Sequence, residues 1–213
     1  MLLSSSSNNN YHHGDLKEAL LQAAKRLIVE KGIDALSLRS IAAEVGVSHM
    51  APYAHFKNKS ELFQSLAALG FVELSTKLQK IQQVTKNSNE LILLYGVAYI
   101  EFATAHPELY KLMLNQTHSD LKAKTTSNSS LKKGQETETE IILKQASKRP
   151  YMLLRQGFAI NESDEDTLNI QAQGAWALVH GISSLLITGQ LVIDKNLSIK
   201  EFLATASKGL SHQ

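Results

Sequence analysis

A chain of 213 residues, 43% hydrophobic and 20% charged with three prolines, is long enough to bury well over half of its unfolded surface in one medium domain or two small ones. It has no cysteine, which excludes disulfides and thiolate metal sites, and points to a cytoplasmic protein. A formal net charge of only +2 excludes a polycation that coats nucleic acid, so any such contact must come from a local patch.

The opening Met-Leu-Leu-Ser-Ser-Ser-Ser-Asn-Asn-Asn lacks both the charged start and the apolar run of a signal peptide, and residues 1–14 are expected to form a disordered tail. Leu16, Leu20, Ala23, Leu27 and Ile28 form the buried stripe of a first helix that begins at Asp15 and ends before Gly32. Two short helical phrases follow, separated by Gly46-Val47-Ser48, a spacing that suits a helix-turn-helix. Ser37 is placed to cap the first phrase, residues 38–45, whose Leu38, Ile41, Ala42 and Val45 share a face. Gly46 supplies a left-handed stop, Val47 plugs the turn and Ser48 caps the second phrase, residues 49–56. Pro52 then falls in the first turn of that helix, where only the earliest intrahelical bond is lost. Small Ala42 facing small Ala51 lets the two helices cross closely.

Asn58 and Glu61 have the spacing of a capping box opening a third helix. Lys59 stands at its first position, where the helix dipole disfavours a cation and an anion brings relief. With Lys57, Tyr53 and His55 close by in sequence, this is a ready phosphate site. Residues 1–60 hold seven basic against five acidic side chains, a modest excess that suits two copies acting on one duplex.

Periodicity makes the remainder helical. Leu62, Phe63, Leu66 and Leu69 start a longer helix that runs to residue 81 or beyond and joins the head to a body. Leu91, Tyr95, Ala98, Tyr99 and Phe102 mark another, stopped at His106 by Pro107, which begins a short helix over residues 107–114. Residues 117–134, rich in Ser, Thr and Lys, are expected to form a mobile loop. Ile141, Ile142 and Leu143 restore helix up to Arg149, where Pro150 ends or kinks it, and residues 161–166 make an acidic connector. The helix over about residues 164–191 carries a large apolar stripe (Leu168, Ala175, Val179, Ile182, Leu186) and a second stripe of small residues, Gly174, Ala177, Gly181, Ser184 and Thr188. A helix with two apolar sides has two partners. Ile199, Phe202, Leu203, Ala206 and Leu210 give a final helix its own apolar face, and the last two helices from two copies are expected to form a four-helix bundle, with Gly174, Ala177, Gly181, Ser184, Phe202 and Ala206 at the interface. The longest apolar stretch, residues 176–193, is broken by His180, Ser183, Ser184, Thr188 and Gln190, which argues against a membrane span.

Val-Gly-Val-Ser followed by Pro-Tyr-x-His-Phe-x-x-Lys-x-Glu-Leu resembles the DNA-binding domain of the TetR family of bacterial transcriptional regulators, over about residues 15–69. The resemblance implies that residues 49–56 form the recognition helix, that Tyr53 and Lys59 contact phosphates with help from Ser37, Arg39 and Ser48, and that His49 and Met50 face base edges. Ala54 departs from the longer polar or basic residue of many relatives. Trp176-x-x-x-His180-Gly181 and residues 97–115 resemble a C-terminal subclass named for Trp, His and Gly. An all-α protein is therefore expected, with a three-helix DNA-binding domain over residues 15–60 and a helical ligand-binding and dimerisation domain over residues 61–213. The family implies an unknown small-molecule effector held in the body, with Tyr95, Tyr99, Phe102, Met113, Trp176 and His180 as candidates, each of which also suits plain core packing. Double-stranded DNA carrying a near-palindromic operator is the implied partner.

The histidines show neither His-x-x-x-His nor His-Glu-x-x-His spacing, and there is no Gly-x-Ser-x-Gly elbow, P-loop or alternating strand-helix pattern. No metal, cofactor or catalytic residue is expected. Two readings stay open: a repressor released by a small molecule, and a helical ligand- or partner-binding dimer whose head only resembles a DNA reader.

Overall fold

Apolar residues recurring every three or four positions fold into helices throughout the computed structural model, which describes residues 13–126, 136–162 and 164–209. The chain divides into two compact units, Met1–Leu62 and Phe63–Gln213. No strand occurs among the described residues.

The first unit contains α1 (His13–Lys31), a 3-10 turn (Ile33–Ala35), α2 (Leu38–Val45), a second 3-10 turn (Ala51–Ala54) and the start of α3 (Lys59–Val84). Leu20, Ala24, Ile28, Leu36, Ile41, Phe56 and Leu62 form its core. The Lys17 ammonium stands 6.0 Å from the Phe56 ring centroid, a cation on an aromatic face. Ser37 caps α2: its Oγ accepts the Ser40 N–H at 3.0 Å, while Ser40 Oγ accepts the Ser37 N–H at 2.9 Å. Gly46 ends the helix at φ 77°, left-handed backbone that a side chain would strain.

The second phrase of the helix-turn-helix is not the α-helix expected over residues 49–56. Ala51 N–H donates to the Ser48 carbonyl, Tyr53 N–H to Met50 and His55 N–H to Pro52, all three-residue steps, and only the last bond, Phe56 N–H to the Pro52 carbonyl, has α-helical spacing. Proline lacks the N–H that would have reached back four residues to Ser48, so the shorter step closes the turn. Helix α1 also begins two residues earlier than Asp15, and residues 1–12 of the expected tail lie outside the described residues.

The second unit comprises the rest of α3 with α4 (Ser88–Ala105), α5 (Pro107–Thr126), α6 (Glu138–Phe158), α7 (Glu165–Ile187) and α8 (Ile199–Gly209). Helix α4 is its axis and packs on α5, α6, α7 and α8. Leu91, Tyr95, Ala98, Tyr99, Ile100, Phe102 and Ala103 bury it on several sides, as an apolar helix requires. Inside the α4–α6 contact the Ser88 hydroxyl donates to the Gly157 carbonyl at 2.8 Å. Asp164 caps α7 by accepting the Thr167 N–H at 2.8 Å, and Ser198 and Glu201 fix the start of α8.

Three helices end elsewhere than the sequence suggests. Helix α5 continues to Thr126, so residues 117–126 of the expected loop are helical; Leu121-Lys122-Ala123-Lys124 are good helix formers that a tally of Ser and Thr overlooks. Residues 127–134 lie outside the described residues. Helix α6 runs through Pro150 instead of ending there. A proline inside a helix costs about 3 kcal/mol, which burial of Leu143, Ala146, Leu153 and Leu154 on both sides of it offsets. Helix α7 stops at Ile187, short of residue 191, and Gly189 turns the chain at φ 71°.

Candidate nucleic-acid interface and internal cavity

In the first unit, the turns between α2 and α3 leave several side chains in solvent, interrupted by buried Pro52 and Phe56. Ser48, His49, Met50, Tyr53, Lys57 and Lys59 are exposed, as is Arg39 on α2. Met50 and Tyr53 keep 60% and 51% of their surface, high for large side chains that have apolar cores to join. Ser37 is committed to its cap, and His55 is half-buried with its ring edge-on to Phe56 at 6.4 Å. The start of α3 is capped by Asn58, whose side-chain oxygen accepts the Glu61 N–H at 2.9 Å. The Glu61 carboxylate reaches the Lys57 N–H at 2.7 Å, one residue earlier than the expected reciprocal bond to Asn58. An exposed aromatic hydroxyl, two lysines and the positive end of a helix within seven residues can hold phosphate oxygens.

In the second unit a cleft lies between α4, α6, α7 and α8, with Leu78 of α3 on one wall. Tyr95 and Tyr99 contribute from α4, Pro150 and Leu154 from α6, Trp176 and Val179 from α7, and Leu203 and Ser207 from α8. Among the described residues, no Lys, Arg, Asp, Glu or His lines it. Gly96 brings the walls together: a Cβ there would stand 2.6 Å from Leu203 Cδ2 and 3.3 Å from Val179 Cγ1.

Of the six side chains expected to line a pocket, Tyr95, Tyr99 and Trp176 do so. Phe102 and Met113 do not; both are 1% exposed and serve the core. The Phe102 ring sits edge-on to His106 at 5.3 Å, and Met113 lies against Gly70. His180 stands one layer behind the wall. Its Nδ1 is 3.0 Å from the Trp176 carbonyl oxygen and its Nε2 is 3.0 Å from the Tyr99 hydroxyl. A carbonyl only accepts, so Nδ1 carries the proton and Nε2 of the neutral ring accepts from Tyr99. The Tyr110 hydroxyl lies 3.3 Å from that of Tyr99 and extends the chain of polar groups. Burial first, then Tyr110, pushes the Tyr99 phenol far above its ordinary value, and burial raises Tyr110 too. Trp176 is boxed by Tyr99 at 5.2 Å, Tyr151 at 5.8 Å and His180 at 4.6 Å. Gly96, Leu154 and Leu203 were missed from sequence, although a glycine in the middle of an apolar helix is itself a signal of close approach.

Helix α7 turns Leu168, Val179 and Ile182 inward while Gly174, Ala177, Gly181 and Ser184 stay exposed. Ile170 and Leu185 add exposures of 70% and 41% nearby, and nothing lies within 4 Å of where a Cβ would stand on Gly174 or Gly181. Phe202 and Ala206 of α8 are half-buried. This face of α7 has no partner within the described chain.

Comparison with known proteins follows the same division. The family described as bacterial regulatory proteins, tetR family, matches residues 20–66, and the tetracyclin repressor-like C-terminal domain matches residues 92–206. The nucleoid occlusion factor SlmA of Pectobacterium carotovorum subsp. carotovorum (strain PC1) is 34% identical over 100 residues, 46% of this chain and 50% of that protein. The chain thus spans about half the length of the curated relatives it matches. A solved structure of a protein of unknown function from Rhodococcus sp. RHA1 is 28% identical, with a TM-score of 0.73 over 95% of this chain and 96% of that one. PfmR from Thermus thermophilus, a TetR family transcriptional regulator, shares the fold at a TM-score of 0.58 and 18% identity, over 88% and 93% of the two chains. No described helix is long and apolar enough to cross a membrane.

Proposed function

From the premise that the chain belongs to the TetR family and is a DNA-binding transcriptional regulator, we propose that it is a homodimeric repressor released from a near-palindromic operator by a small-molecule effector. Two heads would then read successive major grooves about one helical turn apart. Tyr53 and Lys59, with Ser37, Arg39, Ser48 and His55 around them, hold the phosphate backbone, while His49 and Met50 meet base edges. The open small-residue face of α7 joins α8 of each protomer in a four-helix interface, and sedimentation of a monomer at micromolar concentration would count against it. On this reading the body is of the Trp-His-Gly subclass, which the spacing of Trp176, His180 and Gly181 supports.

The observation that carries the proposal is a pair of features on separate units: an exposed aromatic and basic surface on the head, and an uncharged cleft in the body. Helix α3 has residues in both units and is the covalent route by which a ligand in the cleft acts on the head. Weakening DNA binding a hundredfold needs a coupling free energy of about 2.7 kcal/mol, within the usual range for allosteric proteins. The test is binding of the purified protein to DNA upstream of its own gene at two salt concentrations with competitor duplex present. Tight, competitor-resistant and salt-sensitive binding is expected; weak, uniform binding to every duplex favours a ligand- or partner-binding dimer without specific reading. Reciprocity adds a second check, because an effector with equal affinity for free and operator-bound protein rules out the release mechanism.

A further inference from the structure

The cleft of the second unit holds a space of about 150 Å³ between its side chains. Buried residues set its floor, among them Leu78, Leu154, Val179 and Leu203. Among the described residues, the lining side chains that carry an amide or an aliphatic hydroxyl are Asn89 and Ser207, both exposed, and they mark the rim. Polarity thus runs one way, from hydrocarbon inside to neutral hydrogen-bonding groups outside. An apolar space of that volume holds a benzene-sized ring, or about six to eight carbons. The walls also fix that size. Trp176 is boxed by Tyr99, Tyr151 and His180, and its carbonyl meets His180 Nδ1. Tyr99 is committed through its hydroxyl to His180 and Tyr110, and Gly96 seats Leu203 closer than a methyl group would allow. Close-packed walls resist widening, because moving one forfeits the contacts behind it.

We infer that the cleft selects by length a neutral amphipathic molecule, whose apolar part of about six to eight carbons enters first while its polar group stays at the rim beside Asn89 and Ser207. This deepens the effector reading given above and rests on it only for the regulatory consequence. Affinity comes from hydrocarbon leaving water, and the limit comes from the rigid floor. A carboxylate at the rim would give up part of its hydration where no lining side chain carries a positive charge in return.

The experiment titrates the full-length protein with straight-chain 1-alkanols from butanol to decanol. It reads the fluorescence of Trp176, the single tryptophan of the chain and part of the cleft wall. Affinity is expected to rise about fourfold with each methylene that enters the cleft, then to level off near octanol, where added carbons stand in solvent. Octanoate should bind more weakly than octanol. Two half-buried lining residues of α7 move the limit in opposite directions. Ala175→Leu fills the space and should bring the break about three carbons earlier, while Leu178→Ala empties it and should delay the break by about as much. Circular dichroism checks that each variant is folded, and the wild-type series decides the matter if one is not. Affinity that climbs evenly through decanol, octanoate as tight as octanol, a break that moves in neither folded variant, or no saturable response of Trp176 overturns the proposal. Operator binding measured in the same samples separates the two readings. Length-limited alkanol binding that leaves DNA affinity untouched keeps the ligand class and refutes the effector role.

Discussion

Replacing Gly96 by alanine sets two effects of opposite sign against each other. Alanine is favoured over glycine inside a helix by about 1 kcal/mol, and Gly96 lies well within α4. Against this, the new methyl would stand 2.6 Å from Leu203 Cδ2 and 3.3 Å from Val179 Cγ1, where carbon atoms prefer about 3.5–4.0 Å. Val179 is β-branched and buried and yields little, so Leu203 must retreat by about 1 Å. Overpacking of this kind costs about 1–3 kcal/mol. Subtracting the helical gain leaves a net loss of about 1 kcal/mol, or about 2–4 °C in melting temperature for a chain of this size. Leu203 and Val179 both line the cleft, so the displaced side chains also take space from a ligand. Urea unfolding followed by circular dichroism measures the loss of stability. Gly96→Ala that is more stable by the full helical gain would refute the close seating of α8 and α7 on α4.

Other perturbations discriminate the remaining assignments. Lys59→Ala should lower affinity for all duplexes alike and, with two copies per operator, reduce the slope of log K against log salt by about 1.8; an effect confined to one base position contradicts a phosphate contact. His49→Ala should instead relax preference at particular base pairs, read by competition among operator variants. Tyr95, Tyr99 and Tyr110 all have phenols raised by burial above the ordinary 10.0, so the folded state keeps protons that the unfolded chain releases. Their contribution is complete below the ordinary value and is lost as pH rises toward the folded one, so stability should decline above about pH 10, and less steeply in Tyr99→Phe. Asp164 behaves in the opposite sense: its hydrogen bonds from Thr167 hold the carboxylate below the usual range. Its contribution is present above the ordinary value and lost as pH falls through the folded one, and Asp164→Asn, which keeps the cap, should flatten melting temperature against pH in that acid window.

How far the sequence reaches depends on the range of the interactions concerned. The caps at Ser37 and Asn58, the left-handed Gly46 and the stop at His106 before Pro107 are set within a few residues, and all could be read along the chain. Apolar stripes likewise marked which faces turn inward, as Leu168, Val179 and Ile182 do on α7. The family itself was legible in the short run from Val45 to Leu62, because that run combines turn, cap and exposed polar residues at fixed spacing. Local rules failed where a distant contact or a missing donor competed with them. Pro150 breaks no helix because residues on both sides are buried by other elements, whereas Pro52 shortens its turn because it lacks the N–H that would reach back to Ser48. Among the aromatic side chains, periodicity put Tyr95, Tyr99 and Phe102 on one face of α4 but could not rank their depth. Only packing decided that Phe102 closes the core while Tyr95 and Tyr99 contribute to the wall of a cleft. The cleft itself, drawn from five helices whose walls come together at Gly96, is a property of the assembled unit, because those walls are far apart in sequence and no local pattern encodes the space between them.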